Sequence, residues 1–306
     1  MVIKVGCCGF PRRKAEYAER FPVVEVQQTF YQPPRLSTAQ RWRAEVPPAF
    51  EFTLKAWQLI THEPRSPTYR RLKEPIPEDR KNRYGAFRPT EEVHAAWERT
   101  REMAEALRAR IVLFQCPASF TPTEEHIANV RAFFTEVERG GLIFAWEPRG
   151  AWPDETVAAL CRQLDLIHAV DPFQRLPVTP HLAYFRLHGR TGYRYRYTDE
   201  DLECLLGWCR RFDEVYCLFN NVSMWEDGLR MREACQRHRD RAGVRRCANV
   251  GRMAAGVHGL HRTVLGRASI RRGNSGSPHP GAAQRDGELQ VVVSRLSRWE
   301  LSGSSV

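Results

Sequence analysis

The chain has 306 residues with 42% hydrophobic and 10% aromatic side chains, enough to fill one large α/β domain or two ordinary ones. No apolar run reaches the roughly 18 residues of a membrane-crossing helix. The start, Met1-Val-Ile-Lys-Val-Gly6, enters a strand-like run without the pattern of a signal peptide, so a cytoplasmic protein with no membrane partner is expected. Net charge is +11, but residues 241–306 carry 11 Arg against 3 acids, whereas residues 1–240 carry 36 basic against 33 acidic residues. The charge sits in the tail and is poor evidence that the folded body binds nucleic acid. The nine cysteines are odd in number and form no C-x-x-C pair. They read as small core hydrophobes in a reducing compartment.

Eight short apolar runs recur along the chain: Val2–Gly6, Val23–Phe30, Phe50–Lys55, Ile111–Gln115, Leu142–Glu147, Leu166–Asp171, Ala183–His188 and Val215–Asn220. Most are rich in Val, Ile, Leu and Phe, as parallel strands covered on both faces should be. The stretches Arg12–Arg20, Ser37–Glu45, Thr90–Ala109, Thr123–Val137, Asp154–Gln163, Thr198–Arg211 and Trp225–His238 read as helices. Ser37, Thr90, Thr123, Asp154 and Thr198 supply start signals. This alternation over about 240 residues predicts a single-domain TIM-type (β/α)8 barrel. A doubly wound open sheet competes, but no glycine-rich phosphate loop follows the first strand, so no nucleotide-cofactor motif is present. The 33 residues from Trp57 to Pro89 hold five prolines and form an unusually long connection; a lid or substrate wall is expected, the alternative being an ordered loop that merely packs on the barrel rim. From about Arg241 the chain is rich in Gly, Ser and Arg, which predicts a disordered basic tail over 241–306 outside a barrel of residues 1–240.

Barrel enzymes keep their chemistry at the carboxyl ends of the strands, and there polar residues stand in succession. Alternation sets Glu25, Gln27 and Thr29 on one face of the second strand, and Lys55 follows Thr53 on the third, with Thr61 and His62 beyond. Gln115 ends the fourth. Ile143, Ala145, Glu147 and Arg149 share a face on the fifth, with Trp152 close behind. Asp171 ends the sixth. Tyr184, Arg186 and His188 share a face on the seventh, and Asn220 follows the eighth. Gly189 and Gly192 turn the chain into Tyr193, Tyr195 and Tyr197, which alternate with Arg194 and Arg196. Any one of these residues has a structural explanation; a ring of them implies a polar pocket.

The ordered set Gly6-x-x-Gly9-Phe10, Glu25-Val-Gln-Gln-Thr-Phe-Tyr31, Phe52-Thr-x-Lys55, Thr61-His62, Phe114-Gln-Cys-Pro117, Glu147-x-Arg149-x-x-Trp152, Arg186-Leu-His-Gly189 with Tyr193 and Tyr197, and Phe219-Asn-Asn221 resembles the YecE-like family, domain of unknown function 72. The resemblance covers about residues 2–239 and implies a TIM barrel without implying a reaction. Tyr84-Gly-Ala-Phe-Arg-Pro-Thr-Glu-Glu-Val93 resembles the branch common in archaea and thermophiles.

Three functions fit these residues. In the first, an enzyme acts on a small anionic ligand, phosphorylated or polyhydroxyl. Glu147, His188 and Glu25 do the acid–base work, and Arg149 and Arg186 hold the anion. Lys55, His62, Gln115, Trp152, Asp171, Tyr193 and Asn220 line the substrate. In the second, Glu25, Glu147, Asp171 and His188 hold a divalent metal for a hydrolase or isomerase, although the acids stand beside competing Arg and Lys and no H-x-H or H-E-x-x-H spacing occurs. In the third, the tyrosine–arginine stripe at 193–197 makes a non-catalytic module for single-stranded nucleic acid.

Overall fold

In the computed structural model eight strands close into a barrel in chain order: β1 (Val2–Cys8), β2 (Val23–Val26), β3 (Glu51–Lys55), β4 (Ile111–Gln115), β5 (Ile143–Glu147), β6 (Leu166–Val170), β7 (Leu182–Leu187) and β8 (Glu214–Phe219). The structure describes residues 1–238 and Asp240. The expected disordered tail and its boundary lie outside the described residues. Every neighbouring pair is parallel, and β1 closes on β8 in a register running from Val2–Glu214 to Cys7–Phe219.

The helices are α1 (Lys14–Arg20), α3 (Leu36–Ala44), α5 (Glu91–Leu107), α6 (Glu124–Glu136), α7 (Asp154–Leu164) and α8 (Asp199–Cys209). Single turns form α2 (Gln28–Tyr31) and α4 (Gln58–Thr61), and residues 224–238 form a last helix, α9. Three of the expected caps form. Thr90, Thr123 and Thr198 accept from the backbone N–H of Val93, His126 and Asp201, and Asp201 completes a capping box on Thr198. Two expected caps are displaced: α3 is capped at Arg35, two residues before Ser37, and α7 at Pro153, one before Asp154, neither with a side-chain cap. Residues 171–181 join β6 to β7 through turns instead of a helix.

The two faces of each strand enter different cores. Outward side chains such as Val24, Leu54, Phe114, Phe144 and Phe185 pack under the helices, where Phe114 meets Phe134 and Phe144 at centroid distances of 5.0 and 5.2 Å. Inward side chains form a smaller core of Val23, Ile111, Leu113, Ala145, Ala169, Tyr184, Tyr216 and Leu218. That plug is walled by charge at both ends. At the amino-terminal end Lys4 bridges Glu51 and Glu214, and Arg110 donates to Glu214 (2.8 Å) and to the Tyr216 hydroxyl (2.6 Å). Tyr216 in turn donates to Glu51 at 2.7 Å.

The second strand is shorter than expected. It stops at Val26 because Gln27 turns into the helical region (φ −88°, ψ −27°) and Thr29 Oγ1 donates to the Lys55 carbonyl at 2.7 Å. Thr29 therefore leaves the face of Glu25, while the Gln27 side chain reaches back to donate to the Glu25 carboxylate.

The long excursion after β3 is built. It contains two 3₁₀ turns, Pro67–Arg71 and Glu78–Arg83, and Tyr69 Oη donates to the His62 carbonyl at 2.7 Å. Its exit sends Phe87 fully into the helix-facing core, through left-handed backbone at Gly85, Ala86 and Phe87. Gly85 is required there: a Cβ would stand 2.2 Å from the His62 carbonyl oxygen. The excursion packs on the segment after β2, where Lys73 N–H donates to Gln32 and Arg71 covers the Tyr31 ring.

Candidate acid–base site

Arg186, on the inward face of β7, is the centre of the carboxyl-terminal end. Its guanidinium is 1% exposed and touches two carboxylates. Nε donates to Glu25 Oε2 at 3.0 Å, Nη2 to Glu25 Oε1 at 2.9 Å, and Nη1 to Glu147 Oε2 at 2.7 Å. Gln115 Oε1 accepts from Nη1 at 3.3 Å. Tyr184 donates to Glu25 at 2.8 Å and shares a 2.8 Å bond with Thr53, so Glu25, itself 0% exposed, is satisfied by two side chains of β7, Arg186 and Tyr184, and by Gln27. This corrects two expectations. Arg186 has its donors occupied and does not offer a fork to a ligand, and Glu25 has no open side from which to exchange a proton. The pair holds the plug together.

One layer outward the groups become reachable. Arg149, whose side chain is 38% exposed, donates from Nε to Glu147 Oε1 at 2.7 Å and from Nη2 to His188 Nε2 at 2.9 Å. Arg186 Nη1 also faces His188 Nε2, at 3.3 Å. Arginine can only donate, so Nε2 is the acceptor and the imidazole carries its hydrogen on Nδ1. Nδ1 lies 3.6 Å from Asp171 Oδ2, and that same oxygen accepts the His188 backbone N–H at 3.0 Å. Asp171 Oδ1 accepts from Phe173 N–H at 3.1 Å, which fixes the carboxylate. Gly189 follows in left-handed backbone, its N–H on the Tyr197 hydroxyl at 2.8 Å, and starts the turn that ends β7. Burial would raise Glu147, but Arg186, Arg149 and His188 outweigh it and hold the carboxyl down to about 2. Glu147 is therefore a permanent carboxylate and not a proton donor near neutral pH.

A cleft of about 580 Å³ opens over this layer, lined by Glu147, Arg149, Asp171 and His188, and also by His168, Gln174 and Arg175. Sequence reasoning missed the last three. His168 is the notable one: its Nδ1 accepts from Val178 N–H at 3.2 Å, while the buried Nε2 has no partner. Burial and the Arg175 charge push its pKa down to about 4. It lies mid-strand on β6, facing away from the plug, where sequence periodicity marks only helix packing.

Lys55 sits apart from the ion cluster, at the end of β3. It is 5% exposed, its Nζ lies 3.4 Å from the centre of the Phe30 ring, and it makes no ion pair among the described residues. Burial, with the nearby Arg186 charge, pushes its pKa down to about 7. His62 packs edge-on against the other side of this corner, with its ring centre 4.9 Å from that of Phe30 and Nδ1 bonded to Thr61 Oγ1 at 2.8 Å. Burial and Lys55 lower its pKa to about 3, so it stays neutral.

Other expected ligand contacts have structural duties. Trp152 is buried, stacks on Phe120 and donates to the Phe120 carbonyl at 2.6 Å. Tyr197 is buried, and Tyr195 donates to Asp201 at 2.6 Å, so of the tyrosine stripe only Tyr193 stands exposed for stacking. Asn220 is half-buried after β8, its N–H on the Leu187 carbonyl, while the neighbouring Asn221 ties Tyr195 to Asp227. Among the described residues no three His, Cys, Asp or Glu side chains converge on a cation site. Glu25 and Glu147, two of the four side chains weighed as ligands, have guanidinium groups on their oxygens.

The same architecture is found in solved proteins. A DUF72 family protein from Enterococcus faecalis V583 superposes with a TM-score of 0.59 at 22% identity, over 77% of this chain and 98% of that one. One from Thermotoga maritima MSB8 superposes with a TM-score of 0.56 at 19% identity, over 77% and 100%. These are likenesses of fold. The UPF0759 protein YunF of Bacillus subtilis (strain 168) is 24% identical over 248 residues, 68% of this chain and 79% of that protein. No helix among the described residues is long and apolar enough to cross a membrane. The family model described as "Protein of unknown function DUF72" matches residues 10–246, most of the chain, so the chain belongs to the DUF72 family.

Proposed function

We propose that the chain is an enzyme that moves a proton on a small anionic, polyhydroxyl substrate bound in the cleft over β5, β6 and β7. The observation that carries the reading is the row Asp171–His188–Arg149, in which the histidine's accepting nitrogen is covered by a guanidinium that is itself reachable from solvent. A phosphate or carboxylate entering the cleft competes with Glu147 and His188 for Arg149. As Arg149 turns to the anion, Nε2 of His188 loses its shorter donor and keeps only the 3.3 Å contact with Arg186, which Glu147 also engages, so its lone pair is freer to take a substrate proton. Asp171 orients the ring through the backbone N–H and stabilises the imidazolium that forms. Gln174 offers a hydroxyl partner on the same wall, in which the partnerless Nε2 of His168 lies buried. Hydrolase and isomerase outcomes both run through this one base.

The reading also takes the protein as cytoplasmic, in keeping with the eight described cysteines, all free thiols. The Tyr84–Val93 motif supports the archaeal and thermophile YecE-like branch, and its Gly85 and Phe87 are fixed by backbone geometry and packing.

The test is a panel of inorganic phosphate and sugar phosphates measured by thermal shift, followed by deuterium incorporation from D2O into each binder by NMR. Wild type is expected to be stabilised by anionic ligands and to exchange a substrate C–H. Arg149→Met should lose the stabilisation, and His188→Ala should keep it while exchange falls by about 100-fold or more. Equal ligand shifts in wild type and Arg149→Met would refute the anion site.

A further inference from the structure

The chain holds only five lysines, at positions 4, 14, 55, 73 and 81, and uses arginine for the rest of its 47 basic residues. Where a permanent charge is required in the barrel end, arginine is present, as at 149 and 186. Lys55 is the one lysine on the inner wall of that end, and burial works against its charge more than its neighbours support it. It has no carboxylate partner among the described residues, and its nitrogen rests against the face of Phe30, a cation–π contact that offsets only part of the cost of burying the charge. Thr53, two residues earlier on the same face, bonds across the barrel to Tyr184, and the charges of Glu25, Glu147, Arg149 and Arg186 all act on the Lys55 amine. The amine thus shares the end of the barrel with the proposed base without being neutralised by it. The residue also keeps 5% of its surface exposed, so it is not sealed. An unpaired buried ammonium is costly, and a lysine kept in such a place is suited to work as a neutral amine.

We propose that Lys55 is an imine-forming nucleophile and that the substrate of this site is a small aldehyde or ketone carrying an anionic group. The inference rests on the acid–base reading above and narrows its substrate to a carbonyl compound. The Nζ lone pair bonds to the carbonyl carbon as the C=O π bond breaks toward oxygen. One N–H proton passes to that oxygen, a second proton comes from solvent, and water leaves. Nitrogen is left doubly bonded to carbon as an iminium that keeps its other hydrogen. The iminium draws electrons from the adjacent carbon, which makes the neighbouring C–H acidic enough for a histidine base. Burial beside Phe30 favours this chemistry by keeping half of the amine neutral near pH 7, where an ordinary lysine is neutral in fewer than about one molecule in a thousand.

The test treats the full-length chain at pH 7 with glycolaldehyde or with glyceraldehyde 3-phosphate, traps imines with sodium cyanoborohydride, and maps modified lysines by peptide mass. Hydride delivered to the iminium carbon leaves a stable secondary amine. Lys55 is expected to label at least about tenfold faster than Lys14, Lys73 or Lys81, with a rate that half-saturates near pH 7. Lys55→Met should remove that label alone, with its folding checked by circular dichroism. Because wild type carries the measurement, a variant that fails to fold does not affect it. Labelling of Lys55 no faster than the other three overturns the proposal, even if phosphate still binds at Arg149. Fast labelling by both probes at equal rates, unchanged in Arg149→Met, upholds the imine and removes the anion site instead.

Discussion

Replacing Glu25 by Gln keeps the shape of the side chain and removes one charge from the centre of the barrel. In the wild type Glu25 receives Arg186 through Nε and Nη2 at 2.9–3.2 Å and Tyr184 at 2.8 Å, with 0% of the acid and 1% of the arginine exposed. A carboxamide can accept only on its oxygen, and its NH2 group faces guanidinium donors. Arg186 cannot escape to water, so its charge is left with Glu147 alone. Removing one partner of a buried pair costs about 3–5 kcal/mol, which lowers the melting temperature of a body this size by roughly 6–20 °C. Glu147→Gln should cost less, about 1–2 kcal/mol, because Arg186 keeps both oxygens of Glu25 and Arg149 can swing into solvent. Glu25→Gln with Arg186→Met removes both charges and should recover at least half of the single-variant loss, since an apolar replacement of a buried pair is often nearly neutral. Urea unfolding followed by circular dichroism measures all four proteins. If Glu25→Gln unfolds within about 1 kcal/mol of wild type, or the double variant is as weak as the single one, the pair is not the strut described here.

Lys55 binds its proton in the unfolded chain up to about pH 10.5 but in the folded chain only to about 7, so stability should rise with pH between those values, by as much as about 1.4 kcal/mol per unit. The buried thiols of Cys7, Cys8, Cys116, Cys161 and Cys217, raised above their ordinary 9.0, act the other way as pH approaches 9, so the comparison is made at pH 7, 7.5 and 8, where the urea midpoint of wild type should rise relative to that of Lys55→Met. On the acid side, His168 and His62 stay neutral down to about 4 and 3, so the unfolded chain takes up protons first and stability falls as pH drops below about 6.5. Glu147, depressed to about 2 from an ordinary 4.5, adds a further loss below about pH 4.5; a midpoint unchanged from about pH 7 to 5 would refute the histidine assignments, and one unchanged from about 4.5 to 3 that of Glu147. Gly85→Ala should lower the thermal transition well beyond Gly140→Ala. Both positions have positive φ, but only at Gly85 does the new methyl meet backbone, at 2.2 Å.

Most of the barrel was legible because its signals are local. Apolar runs of strand length and Thr-capped helix starts depend on neighbours in sequence, and Thr90, Thr123 and Thr198 cap where expected. The error in β2 has a non-local cause. The run from Val23 to Phe30 reads as one strand, but it is turned at Gln27 by a bond from Thr29 to the end of the next strand. At the site, periodicity placed Glu25, Glu147 and Arg186 on inward faces but could not rank them by depth. Glu25 and Arg186 lie one layer below His188 and Arg149, and that difference turns ligand-binding candidates into a strut. His168 escaped notice because it faces out of the barrel and reaches the cleft only where turns replace the helix between β6 and β7.

The two charged ends of the plug argue for where the chemistry lies. At the amino-terminal end two cations, Lys4 and Arg110, meet two acids, Glu51 and Glu214, and Tyr216 links them. Bonds from Arg110 and Lys4 hold Glu214 down to about 2, and its two acid partners raise Lys4 despite burial. Every group there is matched, which is the economy of a structural network. The carboxyl-terminal end has its own matched strut in Glu25, Arg186 and Glu147, but around it some groups are left incomplete. Lys55 has no acid, His168 has a buried nitrogen without a partner, and Arg149 divides its donors between an acid and an imidazole while facing solvent. A fold that can satisfy one end fully has no structural reason to leave the other incomplete. Incomplete groups of donor, acceptor and nucleophile character at one end of the barrel are what a bound substrate would complete.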